Sequence, residues 1–366
     1  AEQADYDQII NAEGKHVYPG FIALNTSIGL AEIDAVRATR DDDELGAFLP
    51  HIRAAIAYDA ESKIVESMRP NGVLLAQVTP RGGRISGSSS VMQLDAWNWE
   101  DALVKTDEGI HLNWPSPYSR GRWWLGEDPA LKKNKNYQPD LAKIKTFFEN
   151  AKVYEVNQTP AHLPYQAMKG LFDGTKTLYL HAEDEKQIID GISYLKGLGI
   201  NKLVLVGGNE ALQQIDFIKS QQISVIASRP HRLPDNEDED IKGTFKLAAG
   251  LTEAGILVGI DVSGRMERMY MRNLPFYAGS FAAYGMDKEK ALQLITSNAA
   301  KILGIAEELG TLEVGKQATL FLSEGDALDM RTNQLHKAWI SGRDISLETH
   351  QTELWKRYSK KYSSSN

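Results

Sequence analysis

Short apolar runs alternate with longer runs of helical spacing along this chain, and that alternation is the main clue to its fold. Val17–Leu24 reads as a strand broken at Pro19-Gly20, and Val73–Thr79 as a strand of buried character that ends at Pro80. Between them His51–Met68 has helical spacing and stops before Pro70-Asn71-Gly72. A glycine- and serine-rich loop, Arg81–Ser90, comes next, followed by short apolar runs at Val91–Leu94 and Ile110–Asn113. Residues Pro115–Tyr137, with Arg120, Arg122, Trp123 and Trp124, make a long excursion of the kind that carries function or disorder.

Beyond the excursion the pattern is regular. Pro139 suits the first turn of a helix that continues over Asp140–Val153, and Pro164–Phe172 is a second helix. Strands at Thr177–Leu180, Lys202–Val206, Ile223–Ala227 and Ile256–Ile260 alternate with helices at Glu185–Leu198, Glu210–Lys219 and Ile241–Ala254. Asp287–Leu303 is a further helix, with Asp287 as N-cap and Gly304 as stop. Strand, helix and strand joined by short connections imply parallel strands with crossovers. About eight strands fit between residues 17 and 260, which predicts an α/β fold, a (β/α)8 TIM barrel, with a doubly wound sheet as the alternative. No GxGxxG or GxxxxGK[ST] follows a strand, which weakens a nucleotide-binding reading.

After residue 310 the texture changes. Gly310, Gly315, Gly325 and Gly342 separate short β-like runs at Ala318–Leu322 and Leu335–Ile340, and Leu347–Tyr362 is a charged helix. The expected organisation is a barrel over 17–309, with residues 1–16 and 310–366 contributing a small β unit and a terminal helix.

Composition narrows the function classes. Apolar residues at 42% and charged residues at 25% are ordinary for a globular protein. The net charge of −8 and the lack of a long basic run argue against nucleic-acid binding. No apolar stretch approaches the ~20 residues of a membrane span. The absence of cysteine excludes a thiolate zinc site, an iron–sulfur cluster and a cysteine nucleophile. The opening AEQADYDQII is not a signal peptide; either none exists or it was removed.

Working residues of a barrel stand just past the C-terminal ends of its strands. By that rule the candidates are Asn25 and Ser27, His181, His231 and Asp261. His181 and Asp261 weigh most, because a histidine after one strand and an aspartate after another can hold a metal or act as an acid–base pair. The competing reading makes them a helix cap and a partner of loop amides. His111 reads as a core histidine, and His16 and His336 as structural residues of the β unit. Asp235–Asp240 and Lys132–Lys135 read as solvated charge runs. Gly82, Gly83 and Gly87 with Ser88, Ser89 and Ser90 can cradle an anion or a carboxylate, or simply make a flexible turn. Trp114, Trp123, Trp124, Arg120 and Arg122 suit packing, a subunit contact or a glycan or peptide ligand.

Gly14-Lys15-His16-Val17-Tyr18-Pro19-Gly20-Phe21-Ile22 resembles the entry to the first barrel strand in the amidohydrolase superfamily, especially its imidazolonepropionase-like branch. Thr296-Ser297-Asn298-Ala299-Ala300-Lys301-Ile302-Leu303-Gly304, leading to Gly310-Thr311-Leu312-Glu313-Val314-Gly315-Lys316, resembles that family's passage from the last helix into its β-sandwich. The resemblance implies a metal-assisted hydrolase barrel with a small β-sandwich formed by the two termini. It also implies five metal-ligand positions, of which this chain keeps two, His181 and Asp261. Asn25 and Ser27 stand where His-x-His is expected, Ala23 replaces an aspartate, and Gly207 or Gly208 replaces a histidine. A catalytic zinc takes three protein ligands and a water. The expectation is therefore either one weakly held zinc or none.

Two functions follow from the resemblance. One is a divergent hydrolase acting on a C–N bond in a small or cyclic amide, with Asp261 as base, His181 on a metal or the substrate carbonyl, and Asn25 and Ser27 orienting water or substrate. Gly87, Ser88, Ser89 and His231 complete its expected substrate contacts. The other is a non-catalytic barrel that binds a small molecule, glycan or peptide at its mouth. The resemblance further suggests a periplasmic or secreted protein and allows a homodimer.

Overall fold

A computed structural model describes residues 6, 8–155, 159–234, 239–264 and 266–363. Pro19 and Gly20 divide the first strand as expected, into β1 (His16–Pro19) and β2 (Phe21–Thr26). The strands that follow are β3 (Val73–Val78), β4 (Ile85–Gln93), β5 (Leu103–Asn113) and a short ladder of β6 (Tyr118–Ser119) with β7 (Lys132–Lys133). Then come β8 (Thr177–Ala182), β9 (Leu203–Gly207), β10 (Ser224–Ser228) and β11 (Val258–Asp261). Last are β12 (Leu320–Ser323), β13 (Leu335–Ile340) and β14 (Arg343–Asp344).

Eight strands close into a barrel in the order β2-β3-β4-β5-β8-β9-β10-β11. The expected α/β barrel is thus present, with one departure: β4 runs antiparallel to both β3 and β5, and the other pairs are parallel. Antiparallel neighbours need no crossover helix. This reversal accounts for two differences from the sequence-based expectation. Residues 85–90, expected as a glycine-rich loop, belong to β4. His51–Met68 is not one helix but a 3-10 turn at Ala54–Ala57 and a short helix at Lys63–Glu66. The preceding backbone lies along β4 instead, with Ser88 N–H donating to the Ile52 carbonyl at 2.7 Å and bridges joining Phe48 to Ile85 and Arg53 to Ser88.

The second half follows the alternation closely. Helices Glu185–Gly197, Ile215–Ser220 and Gly243–Glu253 connect β8 through β11. The predicted Asp287–Leu303 helix is two helices, Lys288–Gln293 and Ser297–Leu303, and Asp287 caps the first by accepting from Lys290 N–H. Gly304 ends the second in the left-handed region. The residues expected at 235–238 in the acidic run lie outside the described residues. Lys132–Lys135 is largely exposed, as a solvated run should be. No helix among the described residues is long and apolar enough to cross a membrane.

Alternation along each strand divides the core in two. Ala23, Leu74, Ala76, Leu178, Leu180 and Leu205 pack outward under the helices. Ile22, Leu24, Leu75, Val91, Tyr179, Val204, Val206 and Ile226 fill the barrel interior. Nearer the C-terminal strand ends the interior positions turn polar, with Gln77, His181 and Asp261. The β unit at the two ends of the chain is, among the described residues, a single four-stranded sheet, β1-β12-β13-β14. Phe321 of β12 stacks edge-on against Phe21 at 5.0 Å and so ties this sheet to the barrel. Gly72 precedes β3 at φ +84°, and a Cβ there would lie 2.6 Å from the Phe321 ring.

Candidate active site

The mouth of the barrel holds a cavity of about 340 Å³ lined by Ser27, Asp42, Arg81, Asn113, His181, Ser263, Glu267 and Arg268 among others. Asn25 leaves the β2 ladder at φ +48°, a left-handed conformation that asparagine tolerates better than most residues. The backbone groups this frees are met by side chains. Asn25 N–H donates to Gln77 Oε1 at 3.0 Å, and the Asn25 carbonyl accepts from Arg81 Nη2 at 2.7 Å. Its side chain is also engaged at both ends: Nδ2 donates to Asp261 Oδ1 at 3.1 Å, and Oδ1 accepts from Arg81 Nη1 at 2.7 Å.

Arg81 is the residue the strand-end rule missed. It stands just past β3, inside the segment read for its glycine amides, so the same rule could have found it. Its third bond goes from Nη2 to Glu267 Oε1 at 3.3 Å. A guanidinium has five N–H donors, so Nε–H and one Nη1–H are left for the cavity that Arg81 lines. Glu267 is 4% exposed and accepts from Thr26 Oγ1 at 2.9 Å, Ser27 N–H at 2.8 Å and Ser27 Oγ at 2.5 Å. No sequence pattern marked it, because it lies six residues past β11 in a short helix, Glu267–Tyr270.

Asp261 accepts from Ser263 N–H and from Asn25 at Oδ1, and from Ser263 Oγ at Oδ2 at 2.6 Å. Burial raises its carboxyl above the ordinary value, while the Ser263 bonds and the Arg81 charge pull it down. His181 is pushed down to about 3, first by burial and then by Arg81. It is therefore a neutral imidazole at physiological pH. Asp261 and His181 share the field of Arg81 but no hydrogen bond. The partner of His181 is His111, with Nε2 of the former 2.9 Å from Nδ1 of the latter. His111 is indeed buried in the core, yet it is part of this polar network. Its other nitrogen meets Ser89 Oγ at 2.9 Å. Gln77 and Glu108 also belong to the network and were missed, because strands buried on both faces mask which positions point inward.

Four expected substrate contacts are placed elsewhere. Gly87 lets the Ile52 carbonyl approach β4, at 2.7 Å from where a Cβ would stand. Ser88 Oγ donates to the Pro50 carbonyl at 3.0 Å. Ser89 points into the barrel, behind His111. His231 is bonded through Nε2 to Ser280 Oγ at 2.7 Å and lines a separate groove with Tyr277. Of the aromatic excursion, Trp114 is buried, whereas Trp123 and Trp124 are exposed at 71% and 65%.

The residues present do not fit the metal that this type of barrel implies. Among the described residues no group of three or more His, Asp or Glu side chains is arranged to hold an ion. Asn25 turns its amide nitrogen to Asp261 and its oxygen to a guanidinium, and Ser27 Oγ is committed to Glu267. A fixed cation, Arg81, stands at the centre of the remaining donors and opposes a second one.

Burial of neutral His181 has a measurable consequence. In the unfolded chain this histidine titrates near 6.5, and in the folded protein near 3. As the pH falls through that window the unfolded chain takes up a proton that the folded one refuses, so this contribution to stability is lost. The slope is about 1.4 kcal/mol per pH unit. Urea unfolding of His181→Gln between pH 6.5 and pH 4 is expected to show a pH slope shallower than wild type by about that amount. Parallel slopes would contradict a His181 held neutral by the fold.

The eight-stranded α/β barrel gathers its polar residues at the C-terminal strand ends, and comparison with known proteins shows what the chain is similar to. The amidohydrolase family model matches residues 165–345 of this chain. The chain is 22% identical to a 5'-deoxyadenosine deaminase of Methanobrevibacter smithii, over 90% of this chain and 77% of that protein. A crystal structure of an amidohydrolase from Thermotoga maritima superposes with a TM-score of 0.79 at 21% identity, covering 93% of this chain and 89% of that one. A prolidase complexed with N-methylphosphonate-L-proline superposes with a TM-score of 0.51 at 15% identity, covering 92% and 88%.

Proposed function

We propose that the protein hydrolyses a C–N bond of a small polar substrate, an amide or cyclic amide, bound at the barrel mouth. The observation that carries this reading is Arg81, a guanidinium held by Asn25 and Glu267 with two N–H groups left over, beside a buried carboxylate. Arg81 polarises the scissile carbonyl and meets the negative charge that develops on its oxygen. Asp261 is the general base. Water adds to the carbonyl carbon as its proton passes to Oδ2, whose second lone pair is open, or through Ser263 Oγ beside it. Collapse of the tetrahedral intermediate breaks the C–N bond, and the proton on Asp261 goes to the departing nitrogen. Neutral His181 positions the substrate by hydrogen bonding. The similarity to a 5'-deoxyadenosine deaminase supports C–N cleavage as the reaction class.

The test is a panel of small linear amides, cyclic amides and amino-purine nucleosides, followed by mass spectrometry for hydrolysis products. Turnover of one class is expected. Arg81→Lys should then lower kcat by ~10²-fold or more with a smaller change in KM, because lysine cannot keep the bonds to Asn25 and still present a directed fork. Binding of a panel member without any turnover would favour the second reading, a non-catalytic barrel. The committed donors around Asn25 and Ser27 are the observation behind that alternative.

A further inference from the structure

Behind His181 a line of buried groups leads away from the cavity into the barrel. His181 Nε2 meets His111 Nδ1 at 2.9 Å, His111 Nε2 meets Ser89 Oγ at 2.9 Å, and Ser89 Oγ reaches Glu108 Oε1 at 2.6 Å. His111 and Ser89 are inaccessible, and Glu108 is 3% exposed. The mechanism above uses none of these three residues.

The sense of each bond follows from the far end. Gln77 Oε1 accepts the Asn25 N–H, which fixes the amide so that Nε2 faces Glu108. That nitrogen can only donate, and it does so to Glu108 Oε1 at 2.6 Å. Tyr179 O–H donates to Oε2 at 2.8 Å. Glu108 thus stands among donors and accepts from Ser89 as well. With its proton spent on Glu108, Ser89 Oγ accepts from His111 Nε2–H. A neutral imidazole carries one N–H, so His111 Nδ1 is bare and accepts from His181 Nε2–H. The remaining nitrogen of His181, Nδ1, is then bare as well.

We propose that Glu108, acting through Ser89 and His111, is a positioning residue that sets the tautomer of His181 and makes its Nδ1 a hydrogen-bond acceptor for the cavity. If Glu108 accepted no proton from Ser89, the hydroxyl could donate to His111 and both histidines could reverse. A bare Nδ1 also selects among substrates. Resting on the C–N hydrolase reading, it favours an amide that bears an N–H over one that is fully N-substituted, because an acceptor facing a methyl group loses its hydrogen bond.

Long-range proton–nitrogen correlation spectra of protein labelled with 15N-histidine distinguish a protonated ring nitrogen from a bare one. Assigned by comparison with His181→Gln, His181 is expected as the Nε2–H tautomer in wild type. Glu108→Gln should preserve it, since the amide oxygen can take the place of Oε1. Glu108→Met, and independently Ser89→Ala, should shift His181 to the Nδ1–H form or to a mixture. A wild-type His181 protonated at Nδ1, or an unchanged tautomer in both Glu108→Met and Ser89→Ala, would overturn the proposal. These spectra need no turnover, so they stand or fall apart from the hydrolase reading. Ser89→Ala removes one oxygen and serves if Glu108→Met does not fold. The substrate arm compares an N–H amide with its N-methyl analogue, with the N–H amide expected to give at least a tenfold higher kcat/KM.

Discussion

Asp261→Asn is expected to lower kcat at least ~10²-fold, the ordinary contribution of a positioned general base. The fold should tolerate the change, because an asparagine oxygen can still accept from Asn25 and Ser263 N–H, and its amide can donate to Ser263 Oγ. The pH profile adds a second sign of the same group. A general base works when ionised, and burial raises Asp261 above the ordinary carboxylate value. The acidic limb of kcat/KM should therefore lie above 3.8 in wild type and disappear in Asp261→Asn. Steady-state kinetics on the substrate found by the panel checks both. A variant with wild-type kcat would remove Asp261 from the mechanism.

Glu267→Ala is expected to produce the largest loss of stability, about 3–5 kcal/mol, the range for leaving a buried charge without its partner. Truncation strips acceptors from Thr26, Ser27 and Arg81 at once. Arg81 has only 24% of its side chain exposed, so water replaces the carboxylate incompletely. Glu267→Gln keeps the shape and the oxygen but loses the charge, and should cost less. Urea denaturation with unchanged m-values is the measurement. A loss below about 1 kcal/mol for Glu267→Ala would mean that solvent or Asp42 readily compensates Arg81.

The barrel and the site were legible to different depths. From β8 onward, apolar strands bounded by glycine stops and helical faces revealed the architecture, because each parallel strand needs its own crossover helix. The reversed β4 could not be foreseen. Its Gly87 and serines carry turn chemistry, and their extended conformation is imposed by pairing with β3, β5 and the Ile52 backbone. At the mouth, the strand-end rule found Asn25, Ser27, His181 and Asp261, since fold geometry alone places those positions. It could not find Gln77, Ser89 or Glu108. These sit within strands, and their inward direction depends on pairing register. Glu267 depended on how the chain turns after β11, which no local pattern encodes.

The barrel closes through a thin seam. β11 pairs with β2 at a single registered position, Asp261 with Leu24, and these residues lie far apart along the chain. β3, β4 and β5, by contrast, pair with sequence neighbours. Contacts of high sequence separation carry the greater loop-closure entropy and tend to form late. The seam is also where Asn25 of one edge meets Asp261 of the other. Completing the barrel therefore also brings together the residues to which the proposed chemistry is assigned: with the meander formed but the edges apart, most of the secondary structure would be present while Asn25 and Asp261 stayed separate.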